Sequence, residues 1–130
     1  MPFESGITPV EMDIKVANYY SNKISSCKKR NIEFALTFAE VKKLMKQKKC
    51  FYTGILLTTT PPGGVQQPTD FTIDRVDNRL GYVSGNVVAC CHAANSFKGI
   101  VEGMLDVLTI EQKGTILQVA ADLMEQNDYE

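Results

Sequence analysis

Residues 71–99 constrain the chain more than any other stretch: Phe71-Thr72-Ile73-Asp74-Arg75-Val76-Asp77-Asn78-Arg79-Leu80-Gly81-Tyr82-Val83-Ser84-Gly85-Asn86-Val87-Val88-Ala89-Cys90-Cys91-His92-Ala93-Ala94-Asn95-Ser96-Phe97-Lys98-Gly99. The β-branched and aromatic residues around Asp74 favour extended backbone. Asp77-Asn78, Leu80-Gly81 and Ser84-Gly85 are turn formers. Asn86 to Cys91 is apolar and β-branched again, and from His92 onward Ala93, Ala94, Phe97 and Lys98 suit a helix. The pattern predicts a β-hairpin that hands over directly to a helix. That layout sets Asp74 on the first strand opposite Asn95 on the helix. A carboxylate and an amide oxygen are hard ligands, suited to a divalent cation such as Mg²⁺.

An Ile-Asp-Arg-x-Asp-Asn-x-x-Gly-Tyr-x-x-Gly-Asn-Val run from Ile73 to Val87, closed by Asn95-x-x-Lys98-Gly99, resembles the ββα-metal core of the HNH (His-Me finger) endonucleases. Cys50-Phe51-Tyr52-Thr53-Gly54 resembles the Cys-x-x-Cys-Gly knuckle that precedes that core, so the likeness covers residues from about 30 to 100. It implies an α+β fold, a ββα-metal core flanked by N-terminal and C-terminal helices. It also implies a metal-dependent endonuclease that hydrolyses DNA phosphodiesters. Asp74 and Asn95 would hold Mg²⁺ or Mn²⁺. Asn86 would orient the residue after Asp74 through its amide, and Lys98 would hold a phosphate oxygen.

The sequence departs from the family's pattern at two places. The residue after Asp74 is normally the His that serves as general base, and here it is Arg75. A guanidinium stays protonated at working pH, so Arg75 can bind phosphate and stabilise transition-state charge but cannot take a proton from water. His92, the only histidine, lies three residues before Asn95, a spacing that puts both on one helix face. It is one candidate base, Asp77 is a second, and a metal-bound hydroxide without a protein base is a third. The other departure concerns zinc. Related nucleases often pin the core with two Cys-x-x-Cys pairs, which here read Cys50-x-x-Thr53 and Cys91-x-x-Ala94. Two thiolates do not fill a tetrahedral structural site, so no structural zinc is expected. The same core without its His could instead be a catalytically inactive module that binds nucleic acid or a host protein.

At 130 residues the expectation is one domain: a helical, basic 1–49, a core over 50–103 with a mobile loop at 58–69, and an acidic helix within 104–130. Residues 1–7 read as a loose lead-in. Net charge is −1, but it is distributed unevenly. Lys15, Lys23, Lys28, Lys29, Arg30, Lys42, Lys43, Lys46, Lys48 and Lys49 precede Cys50. After Gly99, Lys113 stands alone against Glu102, Asp106, Glu111, Asp122, Glu125, Asp128 and Glu130. The front half can follow a phosphate backbone, with Lys46, Lys48, Lys49, Arg79 and Lys98 as the nucleic-acid contacts. The acidic helix would face solvent or a host protein. Thr8-Pro9-Val10-Glu11, Thr37-Phe38-Ala39-Glu40 and Thr109-Ile110-Glu111-Gln112 are capping boxes that open three helices.

The first helix is expected to run to about Lys29 and to bury Val10, Ile14, Ala17, Tyr20, Ile24 and Cys27. The second runs to Gln47 with Phe38, Val41, Leu44 and Met45 inward. A short helical or irregular bridge carries Val101, Met104, Leu105, Val107 and Leu108. The last helix, Ile110 to about Gln126, would pack on the first or form a dimer face; monomer or dimer stays open. Cys27, Cys50, Cys90 and Cys91 read as buried free thiols. No apolar run is long enough for a membrane span, and no signal peptide opens the chain, so a cytoplasmic protein is expected. Small stand-alone proteins of this kind resemble those of phage genomes, which would place its action in the host cytoplasm.

Overall fold

The computed structural model describes residues 7–61, 63–103 and 107–128. The lead-in 1–6, Pro62 of the loop, and Met104, Leu105 and the acidic Asp106 and Glu130 lie outside the described residues. The fold is α+β. Among the described residues four helices, α1 (Pro9–Lys29), α2 (Phe38–Met45), α3 (His92–Gly103) and α4 (Ile110–Asp128), accompany two strands, β1 (Phe71–Arg75) and β2 (Val87–Cys91). The chain divides into two compact units, Met1–Asn95 and Ser96–Glu130, with the boundary inside α3.

All three capping boxes form. The Thr8, Thr37 and Thr109 hydroxyls each accept the backbone N–H three residues on, and Glu11, Glu40 and Gln112 reach back to the cap residue's N–H. Each satisfies two donors that the first helical turn would leave without a partner. α1 ends where Asn31 enters the left-handed region at φ 55°, and the chain reverses there. Asn tolerates that conformation better than most residues.

The face that α1 buries differs from the expected one. Val10, Ile14 and Ala17 are exposed and Met12 and Val16 are buried instead, while Cys27 is buried as expected and Tyr19 and Tyr20 pack against the same core. Both rows satisfy helical spacing. The aromatic partners select between them: Tyr19 meets Phe71 edge-on at 5.4 Å, and Tyr20 meets Phe34 at 5.6 Å and Phe38 at 6.1 Å. Tyr20 Oη also donates to Leu36 O at 2.8 Å, which fixes α1 against the connector to α2. A Lys42–Asp13 ion pair of 2.7 Å joins α2 to α1. α2 itself ends at Met45, two residues before the expected Gln47.

β1 and β2 pair antiparallel, with Phe71 opposite Cys91 and Arg75 opposite Val87. Ile73 and Ala89 face the core with Val16, Val41 and Leu57, while Cys90 and Cys91 are both inaccessible to solvent. The hairpin is therefore covered on both faces at its Cys91 end. Between the strands, Tyr82 makes a short parallel bridge to Phe34, with its N–H donating to Glu33 O and its carbonyl accepting from Ala35. Gly81 makes this approach possible, because a Cβ there would stand 2.6 Å from Glu33 O. In the second unit, α4 carries an apolar row (Ile116, Leu117, Val119, Leu123 and Met124) that the unit leaves exposed.

Candidate functional site

Asp74 is the fourth residue of β1 and is buried, at 6% exposure. Alternation along the strand puts Ile73 into the core and turns Asp74 to the opposite face. Tyr52 Oη donates to Asp74 Oδ2 at 2.7 Å. Such a bond to an ionised carboxylate is among the stronger neutral–ion contacts. It fixes the carboxylate's orientation from a neighbouring element. Tyr52 was missed in the sequence reading, although it lies inside the knuckle motif. The signal available was an aromatic hydroxyl next to a tight Thr-Gly turn.

That knuckle is a closed turn rather than a regular strand. Cys50 N–H donates to Ile55 O, Gly54 N–H to Cys50 O, and Leu57 N–H to Lys48 O. Gly54 sits at φ +73°, the left-handed region that favours glycine. Phe51 N–H donates to Ala89 O at 2.9 Å and docks the knuckle on β2. The two incomplete cysteine pairs converge there, with Thr53 Oγ1 4.0 Å from Cys91 Sγ. Burial works against a Cys50 thiolate. The Thr53 hydroxyl and the backbone N–H groups of Cys91, Thr53 and Tyr52 outweigh it and hold the thiol at about 7. The Cys90 thiol is pushed far up, by burial first, then by Cys50 and Asp74.

Arg75 and Asn86 have structural partners around the turn that follows Asp74. Arg75 Nη1 donates to Asn78 O at 3.1 Å and Leu80 O at 3.2 Å, and its guanidinium lies 5.2 Å from the Tyr82 ring centroid. Asn86, buried at 7% exposure, accepts from Asp77 N–H and donates to Asp77 O and Gly81 O, each at 3.0 Å. The Asn86 amide thus orients the loop rather than the side chain of Arg75. Asp77 binds Arg79 through both carboxylate oxygens, at 3.0 and 2.8 Å. With both oxygens so engaged, Asp77 is poorly placed to accept a proton from water.

His92 opens α3, and its N–H donates to Asp70 O at 2.8 Å. Ala93 N–H donates to Pro68 O, so the helix start is pinned to the approach to β1. The Asp70 carboxylate is itself buried. Burial raises its pKa, but the Thr60 hydroxyl, the Gln67 N–H, the Thr58 hydroxyl and the charge of His92 bring it below the usual carboxylate range. Thr58 donates at 2.7 Å and Gln67 N–H at 3.0 Å, with Thr60 as the third partner. Asp70 therefore laces the loop 58–69 at its base, a role its sequence position did not disclose. Asn95 is half-buried one turn into α3. Lys98 belongs to the second unit, where it pairs with Glu102 at 2.8 Å. Lys46, Lys48 and Lys49 are exposed, as is Arg79.

Asp74 and Asn95 offer hard oxygen donors. Among the described residues no group of three His, Cys, Asp or Glu side chains is placed to hold a metal. Among the described residues no helix is long and apolar enough to cross a membrane.

The chain is similar to an uncharacterized 29.0 kDa protein from the dda–modA intergenic region of Enterobacteria phage T4. The two are 30% identical over 84 residues, 65% of this chain and 32% of that protein. It is also similar to uncharacterized protein R423 of Acanthamoeba polyphaga mimivirus, 29% identical over 97 residues, 75% of this chain and 16% of that protein. The chain spans a minor part of either relative's length. No family model matches it, and no solved structure matches it significantly.

Proposed function

We propose that this chain is a metal-dependent endonuclease of the HNH type that hydrolyses phosphodiester bonds of DNA. The observation that carries the reading is Asp74, a carboxylate buried in the middle of a hairpin strand and aimed by a tyrosine hydroxyl. Burying such a group costs free energy that its hydrogen bonds must offset. The hairpin runs directly into the helix that bears Asn95, whose amide oxygen is the second hard donor that a Mg²⁺ ion would use. Viral relatives support action inside an infected cell.

Asp74 and Asn95 would hold the ion. When bound, the ion supplies charge neutralisation at the non-bridging and leaving oxygens of the scissile phosphate. Tyr52 keeps the Asp74 carboxylate in one orientation. Arg75 and Asn86 hold the loop 76–86 rigid beside it, so neither needs to touch the substrate. His92 shares the first turns of α3 with Asn95 and is the base we assign. Lys46, Lys48 and Lys49 would bind backbone phosphates.

The test is cleavage of supercoiled plasmid with Mg²⁺, Mn²⁺ or EDTA, beside Asp74→Asn and His92→Ala. Metal-dependent relaxation that Asp74→Asn abolishes is the expected result. Unchanged cleavage by Asp74→Asn removes Asp74 from the site. One observation favours a second reading: Arg75 takes the base's place and is built into a loop. A folded protein that shows no cleavage with either metal would be a catalytically silent module of the same core, binding DNA or a host protein.

A further inference from the structure

A groove of about 380 Å³ runs between α2 and β2, within the ~300–1,000 Å³ usual for ligand clefts. Leu44, Phe51 and Val87 give it an apolar lining, and Lys43, Lys49 and Gln47 add polar and charged groups. Phe51 is 65% exposed, an unusual state for a phenylalanine beside a packed core. Tyr52 steadies it edge-on at 5.3 Å. The same Tyr52 holds Asp74, and the groove-lining Val88 is Asp74's direct partner across the hairpin. Directly opposed residues share a face, so one groove-lining residue stands on the strand face that carries Asp74.

The edge of β2 away from β1 faces this groove. Ala89 O already turns that way to accept from Phe51 N–H. Alternation then turns the Val87 amide and carbonyl to the same side. Glu40 also lines the groove, but its carboxylate is bound to the Thr37 N–H at 2.9 Å and is held below its ordinary pKa by that bond and by the Ser84 hydroxyl. The cationic groups facing a ligand are thus Lys43 and Lys49, both exposed.

We propose that this groove takes an unpaired nucleobase stacked on Phe51, with the flanking phosphates on Lys43 and Lys49. Bases inside a duplex have both faces covered by their neighbours, so an exposed ring can stack only on a base outside the helix. Lysines beside an aromatic platform are the usual means of holding a single strand. The substrate class is therefore DNA with unpaired nucleotides, such as single strands, flaps, junctions or the locally opened stretches of a supercoiled plasmid, and not relaxed duplex. This inference rests on the nuclease reading for its link to cleavage, but its binding claim can be tested without it.

The test measures binding of the full chain in EDTA, by anisotropy of a labelled single-stranded oligonucleotide and of its duplex. A 2-aminopurine in the single strand reports stacking. Phe51→Ala should weaken single-strand binding roughly 10-fold, the usual loss for one stacked base, and leave duplex binding alone. Phe51→Tyr should restore it, and Lys49→Ala should flatten the salt dependence. Phe51 is largely exposed, so its truncation leaves the fold intact. Unchanged single-strand binding by Phe51→Ala, or an equal loss for duplex, overturns the proposal. So does a groove that binds poly-glutamate and no oligonucleotide, because an acidic peptide paired along β2 would then be its occupant. Plasmid cleavage with Phe51-indifferent binding defeats the base pocket alone. Phe51-dependent binding without any cleavage defeats the nuclease reading alone.

Discussion

Replacing Asn86 with Ala tests whether the amide is a clamp on the loop beside Asp74. Asn86 closes residues 76–86 through three hydrogen bonds of 3.0 Å, one accepted from Asp77 N–H and two donated to Asp77 O and Gly81 O. A net bond of this kind is worth about 0.5–1.5 kcal/mol, and a buried group left without a partner costs more. Asn86 is 7% exposed, so water replaces the lost partners poorly. Three bonds at about 1 kcal/mol each give a loss of about 3 kcal/mol. For a unit of this size that lowers Tm by roughly 10–20 °C. Asn86→Asp keeps the acceptor for Asp77 N–H but sets a carboxylate against two carbonyls, so it should be at least as damaging. Thermal unfolding followed by far-UV circular dichroism, repeated by urea titration, measures both variants. A Tm within about 3 °C of the parent for Asn86→Ala would refute the clamp, and the residue would then be free for a role toward substrate.

The remaining expectations concern three other positions. Gly81→Ala places a Cβ 2.6 Å from Glu33 O, so the Phe34–Tyr82 bridge must open and urea unfolding should show a loss of about 1–3 kcal/mol; parental stability would contradict the close approach. Asp70→Ala removes the acceptor for Thr58, Thr60 and the Gln67 N–H, so limited proteolysis should cut between residues 60 and 67 far faster than in the parent, and an equal rate would show that the loop is held by other means. In the parent, the Asp70 carboxyl lies below its ordinary range despite burial, so its contribution is present above the unfolded value of ~3.9 and is lost as pH falls through the lower folded value. The Cys50 thiol, at about 7 because its hydrogen bonds outweigh burial, lies below the ~8.5 of an unfolded thiol. Its stabilisation is therefore full above ~8.5 and is lost as pH falls through the folded value. The stability gap between Cys50 and Cys50→Ala should widen by on the order of 1–2 kcal/mol from about pH 6 to pH 9. That gap is best measured in a Cys90→Ala background, since the raised Cys90 thiol titrates in opposition; a flat gap refutes the thiolate-holding knuckle.

The hairpin and its helix were legible because strong local signals agree there. β-branched runs, the Asp77-Asn78 and Ser84-Gly85 turns and the alanines after His92 all point one way, and β1, β2 and the start of α3 fall where they indicate. Capping boxes were equally legible, since both of their hydrogen bonds form within four residues. The phase of α1 was not legible. Val10–Ile14 and Met12–Val16 are both spaced for one helical face, and only partners distant in sequence, Phe34 and Phe71, choose between them. Side-chain roles that depend on such distant partners were lost for the same reason. Tyr52 reaches Asp74 across 22 positions, and Tyr19 Oη accepts the Ile73 N–H across 54.

Arg75 shows how that limit bears on function. By residue type alone, a guanidinium beside a candidate metal ligand reads as a phosphate binder. Its length lets it do something else here. It passes over Tyr82, whose ring also lies 4.6 Å from Lys23 Nζ, and reaches the carbonyls of Asn78 and Leu80. A histidine at this position is too short to span to both carbonyls. An Arg at this position therefore ties down the Asp77–Gly81 turn, and in the proposed nuclease the proton-accepting role would fall to another element. The first turn of α3 supplies the sole histidine beside the Asp70 carboxylate, on the helix that carries Asn95. The exchange of His for Arg is thus compatible with catalysis if His92 acts, or if a metal-bound water needs no protein base. Cleavage that survives His92→Ala with an unchanged pH profile would leave the metal-bound water as its own base.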